Sequence, residues 1–443
     1  MSKTNYDYVA IVKAINNQLG GMYGYEFPVI DSDNFKAMAA AFVDMPMQIK
    51  NAYVDTLRNL MCNVAIKKVY TANNPFRKLY RDDTVLTGNG AQYIEEVAID
   101  QFIPMAYEMS GNPEKFFKSM PPKVKVQILC NVVRKKYVVT LNSFVLEPAF
   151  QSLEAFDSFW SKTLDRLYAD MEEDDKEEII AAIDAIIEGG NMRIVTIARP
   201  VDSNTALNFS KTLDIVSRDL AFKRRRDYNV QHLSTKTAEN EAVILVAGDV
   251  LATQNNFNLA WAFNRSFLEM DKNGQIIALD SDGLAGNKVF AVYTDTDFFR
   301  IHNVKGFPIL KSWENGDNLE EKRWLHSWKM INFSYASNAI AFVAPEDVGV
   351  ESVELLDADG NNAGTCSKGR FLQLALPKVT AATDKLADCF VTYSIAGASS
   401  ATTRIDADGT LYVAEDETAT EIVITGVSHL DSSKSGTYTV TVQ

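Results

Sequence analysis

The sequence predicts an α+β body that ends near Pro345 and an all-β module that follows it. First, helix-like and strand-like patterns alternate through the body without a repeating βαβ unit, which favours an α+β fold over a doubly wound sheet. Second, the residues from Glu346 onward hold 15 Asp/Glu and 6 Lys/Arg, a net charge of −9 out of the total −14. Third, the chain finishes in the alternation Thr437-Tyr-Thr-Val-Thr-Val442, which is typical of a strand with one buried face.

The composition is that of a globular protein with several folding units. Its 443 residues are 47% hydrophobic and 23% charged, which argues against wholesale disorder. No apolar run approaches the roughly 20 residues that a membrane-spanning helix needs, and Met1–Tyr8 lacks the pattern of a secretory signal. The acidic balance disfavours a dedicated nucleic-acid binder, since affinity for phosphate comes mainly from clustered Lys and Arg. We therefore expect no membrane partner and a place in the cytoplasm or in a particle assembled there.

The first 72 residues are helix-prone, with apolar residues at helical spacing. The clearest set is Val9, Val12, Ile15 and Leu19. Gly20-Gly21 and Gly24 interrupt this pattern. Residues 1–72 are therefore predicted to form an extended N-terminal arm with short helices rather than a compact domain.

Residues 73–148 predict a long flap built on two strands. The first strand is expected over 93–100 and the second over 123–140, where apolar and polar residues alternate as in a half-buried strand. The adjacent Val132 and Val133 shift this alternation and predict a bulge or a bend. A flap this long cannot bury both of its faces by itself, so we expect it to pack on something else.

A long amphipathic helix is predicted after the flap, because six apolar residues recur every three or four positions. These residues are Leu153, Phe156, Trp160, Leu164, Leu167 and Met171. Asp174 and Glu177 match the capping pattern of a second helix, which is expected to end at Gly189-Gly190. The acidic run Glu172–Asp175 is interpreted as a solvated helix junction rather than a metal site.

The rest of the body predicts alternating strands and helices. We expect strands over 192–198, 242–247, 289–294 and 298–302, helices over 206–220 and 259–267, and one aromatic strand-like stretch over 324–343.

The cysteines and histidines do not form a recognisable site in the sequence. Cys62, Cys130, Cys366 and Cys389 contain no Cys-x-x-Cys pair, so zinc is not expected and reduced thiols are the prediction. A disulfide between Cys366 and Cys389 stays open as an alternative. The four histidines lie far apart, and neither a Gly-x-Gly-x-x-Gly nor a Walker pattern occurs.

Four Asp-x-x-Gly segments resemble fragments of calcium loops. They begin at Asp271, Asp280, Asp357 and Asp406. None combines the Asp that opens an EF-hand loop with the Glu that closes it, and Asp-Gly is a strong hairpin signal. We interpret them as turns, and we predict no catalytic residues, no cofactor and no metal.

Several body segments, taken in their order, resemble the major capsid proteins of tailed phages. The segments are Asn74-Pro-Phe-Arg-Lys78, Leu259-Ala-Trp-Ala-Phe-Asn264, Val289–Asn303 and Asn338-Ala-Ile-Ala-Phe-Val343. The resemblance implies the Hong Kong 97-type fold and is nearest to the small short-tailed podoviruses (Picovirinae-like). The C-terminal module resembles a bacterial immunoglobulin-like domain of group two, on Thr403–Val413 and Ser433–Val442.

This resemblance implies a mechanical role for each region. Residues 1–72 are the N-terminal arm and 73–148 the extended loop that lies across a neighbouring subunit. Residues 149–199 and 311–345 form the peripheral domain with its spine helix, 200–310 the axial domain, and 346–443 the immunoglobulin-like domain. The basic residues expected to contact the next subunit are Arg77, Lys78, Arg81, Lys123 and Lys125.

The resemblance also implies the partners. The chain is expected to assemble with itself, as pentamers and hexamers, into an icosahedral shell in the cytoplasm of a bacterial host. Scaffolding protein and portal are further expected partners, and the shell encloses double-stranded DNA that it contacts non-specifically.

Two other functions stay open at this level. The chain could be another virion or cell-surface structural protein, such as an adhesin, that binds through the immunoglobulin-like module. It could also be an enzyme with an appended β-module, which would need paired carboxylates in a cleft.

Overall fold

The computed structural model of the chain describes residues 8–31, 34, 36–57, 75–81, 86–88, 91–100, 123–142, 151–261, 275–281, 283–305, 309–315 and 320–443. The chain divides into two compact units. Unit 1 comprises residues 1–83, 132–178 and 302–330, and unit 2 comprises residues 84–131, 179–301 and 331–443. Helices and strands both occur in the described body, as expected of an α+β protein.

Five labelled helices lie in the described residues: α1 (Tyr8–Tyr23), α2 (Lys36–Asp44), α3 (Leu153–Glu188), α4 (Ser203–Phe222) and α5 (Gly248–Trp261). The strands of the body are β1 (Leu86–Gly88), β2 (Ala91–Ile99), β3 (Val124–Leu129), β4 (Val132–Asn142), β5 (Arg193–Thr196), β6 (Ala242–Val246), β7 (Gln275–Ala278), β8 (Val289–Asp295), β9 (Phe299–Lys305), β10 (Ile309–Asn315), β11 (Glu320–Phe333) and β12 (Ala339–Val343).

Unit 1 begins with helices that bury their apolar faces. Residues 47–57 are also helical, and Val12, Phe42 and Tyr53 are fully buried. The rings of Phe42 and Tyr53 meet edge to face, with centroids 5.8 Å apart. The described residues of 1–72 thus contain the expected short helices, with packed apolar faces, and the extended arm stays a prediction.

Of the three glycines expected to interrupt the helical pattern, Gly20 and Gly21 do not and Gly24 does. The helix continues through Gly20-Gly21 and stops before Gly24, whose positive φ of 64° suits a helix end. The Gly24 N–H donates to the carbonyl of Gly20 at 2.9 Å.

The long helix α3 is one continuous helix of 36 residues, so the predicted break at Asp174 is wrong. Within unit 1, its carboxylates pair with lysines instead of capping a new helix. Lys135 on β4 lies 3.0 Å from Glu178 and 3.5 Å from Asp174, and Lys329 on β11 forms a buried ion pair with Asp175. The acidic run is thus a contact face for the sheet, not a solvated junction.

The pKa values of these groups reflect the pairing. Burial acts to lower the pKa of Lys135, but the hydrogen bonds and charges of Glu178 and Asp174 outweigh it and raise the pKa. Burial raises the pKa of Glu178, and the charge of Lys135 only partly offsets this effect. The two strands that carry the lysines pair with each other, because β11 runs antiparallel to β4 from Glu320 to Met330.

The core of unit 2 is a five-stranded sheet in the order β5-β12-β8-β6-β7. Every residue of β6, β8 and β12 is buried. Helix α4 covers this sheet, and the ring of Phe209 lies 5.5 Å from Phe290 and 5.4 Å from Phe342. The helix begins at a capping box in which Asp202 accepts from the backbone N–H of Thr205.

Two long strand predictions are each divided by a break. The stretch 123–140 is two strands, β3 and β4, which belong to different sheets and separate at Cys130-Asn131. The aromatic stretch 324–343 likewise comprises β11 and β12, separated by residues 334–338. Residues 101–122 at the far part of the flap, and most of the predicted helix 259–267, lie outside the described residues.

The C-terminal module contains nine strands. They are β13 (Val350–Glu354), β14 (Ala363–Cys366), β15 (Phe371–Gln373), β16 (Lys378–Ala381), β17 (Val391–Ala396), β18 (Arg404–Ile405), β19 (Thr410–Tyr412), β20 (Glu421–Ser428) and β21 (Ser435–Val442). They form sheets in the orders β13-β16, β14-β21-β20-β17 and β15-β19-β18. Leu411 of the β15-β19-β18 sheet and Ile424 and Tyr438 of the four-stranded sheet share one buried core, together with Leu374.

Other sequence predictions can be located in the described residues. Cys130, Cys366 and Cys389 are free thiols, and Cys62 lies outside the described part of the chain. The Asp-Gly segments at Gly360 and Gly409 are turns with positive φ at the glycine. No helix among the described residues is long and apolar enough to cross a membrane.

Candidate assembly interface

The β2–β3 hairpin of unit 2 is the candidate functional site. Its strands pair antiparallel, with Val97 opposite Val126 and Ile99 opposite Val124. Because side chains alternate across a strand, the residues facing each other in this register share one face. The hairpin therefore has a mainly apolar face, formed by Val97, Ile99, Val124, Val126 and Ile128, with Glu95 opposite Ile128 at its edge. The opposite face, called the polar face below, carries Glu96, Lys125 and Gln127.

The apolar face is open to solvent in the single chain. Between 52% and 66% of each of its five residues is exposed. Five neighbouring aliphatic residues with this exposure form a continuous patch, which soluble monomers rarely show without a partner. Their arrangement can supply hydrophobic contact area for another protein surface.

The polar face is fixed to the body of unit 2. Arg300 donates to Glu96 at 2.7 Å, and both side chains are largely buried. Gln127 donates to the carbonyl of Phe333 and accepts from the N–H of Tyr335, each at 2.9 Å. These contacts determine which face points outward, because Glu96 and Gln127 find their partners on the body.

Both ends of the hairpin strands are held by a second set of polar contacts. Asp100 follows β2 and is buried, 2.8 Å from Arg226 and 3.0 Å from the N–H of Ser234. After β3, the side-chain amide of Asn332 accepts from the N–H of Asn131 at 3.0 Å and donates to the Asn131 carbonyl at 3.3 Å, and the Asn131 side chain donates to the carbonyl of Ile331 at 3.0 Å. The paired strands are thus anchored to the body at both ends.

The five basic residues predicted as subunit contacts are separated between the two units. Arg77 and Lys78 lie in the one-turn helix Pro75–Leu79 of unit 1, and Arg81 follows that helix. Only Lys123 and Lys125, in unit 2, are brought together. Their contact with a neighbouring subunit stays a prediction, as it does for the other three.

In the single chain, Lys123 and Lys125 pair with the C-terminal module. Lys123 lies 2.7 Å from Asp406 and 3.3 Å from Asp408, and Lys125 lies 3.3 Å from Asp408. Burial acts to raise the pKa of Asp408, but a hydrogen bond from Thr410 and the two lysine charges lower it below its ordinary value.

Sequence reasoning missed two features of this site. The alternation of Val124, Val126 and Ile128 with polar residues showed that one face is apolar, but this face was taken as half-buried. The acidic turn at Asp406 and Asp408 was interpreted only as a turn. The excess of negative charge in the module was the available signal for a basic partner.

Residues 12–343 match the family model described as Phi29-like phage major capsid protein. The chain belongs to this family. The major capsid protein of Bacillus phage PZA is 26% identical over 409 residues, covering 92% of this chain and 87% of that relative. The major capsid protein of Bacillus phage GA-1 is 26% identical over 300 residues, which cover 67% of this chain and 61% of that relative. A solved capsid structure of Staphylococcus phage Andhra gives a TM-score of 0.47 and 18% identity, covering 61% of this chain and 84% of that one.

Family membership confirms the function expected from the sequence. The chain is a structural major capsid protein of a tailed phage, which assembles with itself into the virion capsid. The cell-surface adhesin alternative is therefore set aside, and the family is one of structural proteins rather than enzymes. Among the described residues, no group of three or more His, Cys, Asp or Glu side chains is placed to hold a metal ion.

Proposed function

We propose that the Phi29-like capsid protein closes its shell by placing the apolar face of the β2–β3 hairpin on a neighbouring copy. The observation that carries this proposal is the orientation of the hairpin. Its polar face is bound to its own body, and its apolar face is exposed. A self-assembling protein supplies the partner in the form of its own neighbours. Repeated contacts between different surfaces of identical chains close into rings and shells.

The hydrophobic contribution of this face is sufficient for a weak, repeated contact. Full burial of a Val or Ile side chain contributes about 1.5 to 3 kcal/mol, so covering a half-exposed one contributes about 1 kcal/mol. Five such residues give a gross contribution of about 5 kcal/mol per contact, before the cost of immobilising the partners. One contact of this size is reversible, which allows a growing shell to correct errors, while many contacts stabilise the closed particle.

The proposal is tested by making the face polar without changing its opposite side. The double variant Val97→Ser and Val126→Ser alters one cross-strand pair of the apolar face. We expect unassembled chains or open fragments by electron microscopy, where the unaltered chain forms closed shells under the same conditions.

A matched control comes from an equally exposed aliphatic residue elsewhere. Leu376 is 48% exposed in the C-terminal module, and Leu376→Ser should leave assembly unchanged. Normal shells from the hairpin variant would overturn the proposal. Circular dichroism and thermal unfolding of both variants separate a failure of assembly from a failure of folding.

We further propose the Hong Kong 97-type division of the chain into arm, extended loop, peripheral domain and axial domain, with the residue ranges given above. Family membership over residues 12–343 supports this division. We propose that the shell is icosahedral, built of pentamers and hexamers, and that it encloses double-stranded DNA with the help of scaffolding protein and portal. Because the net charge of −14 repels phosphate, the contact with that DNA is weak and non-specific.

The C-terminal module is proposed to be an immunoglobulin-like domain of group two. Its mainly antiparallel strands, with one parallel pair between β14 and β21, and the buried core between its sheets support this proposal. The two segments that carry the resemblance fall on β18, β19 and β21.

A further inference from the structure

The acidic turn of the C-terminal module, Asp406–Gly409, is built as a rigid surface. Gly409 has a φ of 76°, and an added Cβ there would lie 3.0 Å from the Tyr393 hydroxyl, so the turn requires glycine. Asp408 accepts from the hydroxyl of Thr410 at 2.7 Å and from its N–H at 3.2 Å. Gln373 donates to the carbonyl of Asp408 at 2.8 Å. The carboxylate of Asp408 is therefore oriented before any cation binds it.

The partner of this turn is the polar face of the hairpin. Lys123 bridges Asp406 and Asp408, and Lys125 reaches Asp408 from the next position on the same face. Two ammonium groups thus meet two carboxylates in a single cluster. Only 8% of the Asp408 side chain is exposed, so this cluster is less screened by solvent than an ordinary surface pair.

The module is also attached to unit 2 at a second place. Asp388 is fully buried, accepts from the N–H of Ile194 at 2.7 Å and lies 3.0 Å from the ring of His429. The other ring nitrogen of His429 lies 3.2 Å from the carbonyl of Ile194. The N–H of Cys389 donates to the carbonyl of Gly190 at 2.9 Å. Loss of the ionic cluster would therefore leave the module docked on strand β5.

From these contacts we infer that the acidic turn Asp406–Gly409 is the docking surface for the β2–β3 hairpin, so that the C-terminal module acts as a brace for the assembly element. The module is anchored on β5, and through the turn it holds the hairpin at a fixed angle to the body. The charge distribution agrees with this role, because the residues from Glu346 onward carry a net charge of −9, while Lys123 precedes β3 and Lys125 is its second residue. The brace is a role beyond the self-assembly proposed above, and it concerns the single chain.

The test measures the hairpin in the unassembled full-length chain. In the double variant Asp406→Asn and Asp408→Asn, we expect the amides of residues 124–129 to exchange with deuterium about five- to tenfold faster, as expected for the loss of a partly buried charge cluster. Lys125→Gln, which removes a charge on the other side of the contact, should accelerate the exchange of the same amides. The amides of β20 and β21 in the module core should exchange at the rate of the unaltered chain, which shows that the module stays folded.

The matched control is Glu354→Gln, which removes the exposed ion pair with Lys378 at 2.9 Å in the same module. It should leave the exchange of residues 124–129 unchanged. Equal exchange rates of residues 124–129 in Glu354→Gln, in the Asp406→Asn and Asp408→Asn double variant and in Lys125→Gln would overturn the inference. The exchange measurement does not depend on assembly. If the double variant exchanges faster at residues 124–129 but still forms normal shells, the result supports the brace and counts against the apolar contact proposed above.

Discussion

The buried ion pair between Lys329 and Asp175 gives the sharpest prediction for unit 1. Only 6% of the Lys329 side chain and 4% of the Asp175 side chain are exposed, and the hydroxyl of Tyr80 donates to Asp175 at 3.3 Å. Lys329→Met removes the cation and leaves the carboxylate buried. Breaking such a pair costs about 3 to 5 kcal/mol, because the remaining charge is uncompensated. We expect the free energy of unfolding to fall by this amount.

The double variant Lys329→Met and Asp175→Leu separates the charge from the packing. Replacing a whole buried pair by apolar side chains is often neutral or stabilising, so the double variant should recover most of the lost stability. The assay is urea unfolding of the unassembled chain, followed by tryptophan fluorescence. Lys176→Met is the control, because this lysine lies 3.8 Å from Glu172 on the same helix and is partly exposed, and it should cost less than about 1 kcal/mol. A double variant as unstable as Lys329→Met would refute the reasoning.

Two further predictions concern the C-terminal module. Glu417 is fully buried and accepts from the N–H of Ser399 at 2.9 Å and from the hydroxyl of Thr403 at 2.6 Å. Glu417→Gln should therefore destabilise the module by about 2 kcal/mol in thermal unfolding. Glu421→Gln, at an exposed position, should have no such effect, and equal effects of the two variants would contradict this account. The lysine charges and the Thr410 hydrogen bond lower the pKa of Asp408 against the opposing effect of burial, so its stabilisation of the docked hairpin is present above the ordinary carboxyl pKa of about 4 and is lost as the pH falls below it. Hydrogen exchange of residues 124–129, corrected for the intrinsic pH dependence of exchange, should therefore accelerate in acid in the unaltered chain but not in Asp408→Asn. Equal acceleration in both would contradict this assignment.

The periodicity of the sequence predicted most of the elements but not the direction of their faces. Alternation in β3 identifies an apolar and a polar face, yet it does not tell which one points to the body. Glu96, Lys125 and Gln127 decide this, because their partners on the body or the module lie more than 200 residues away in the chain. Without those partners the apolar face would be the natural one to bury, as the sequence suggested.

Helix α3 shows that a local sequence pattern also does not fix a helix boundary. Asp174 and Glu177 have the spacing of a capping pair, and this local pattern predicted a break. The helix continues because Asp174 and Glu178 pair with Lys135 on β4. Local capping signals and distant ion pairs use the same residue types, so one sequence alone does not separate them.

The most direct test of the proposed assembly contact is a cryo-electron microscopy map of assembled shells at side-chain resolution. We expect the face formed by Val97, Ile99, Val124, Val126 and Ile128 to be covered by a neighbouring copy in every subunit of the shell. The polar face should stay on its own body, with Lys123 and Lys125 against Asp406 and Asp408. A map in which the apolar face points to solvent in the closed shell would contradict the account.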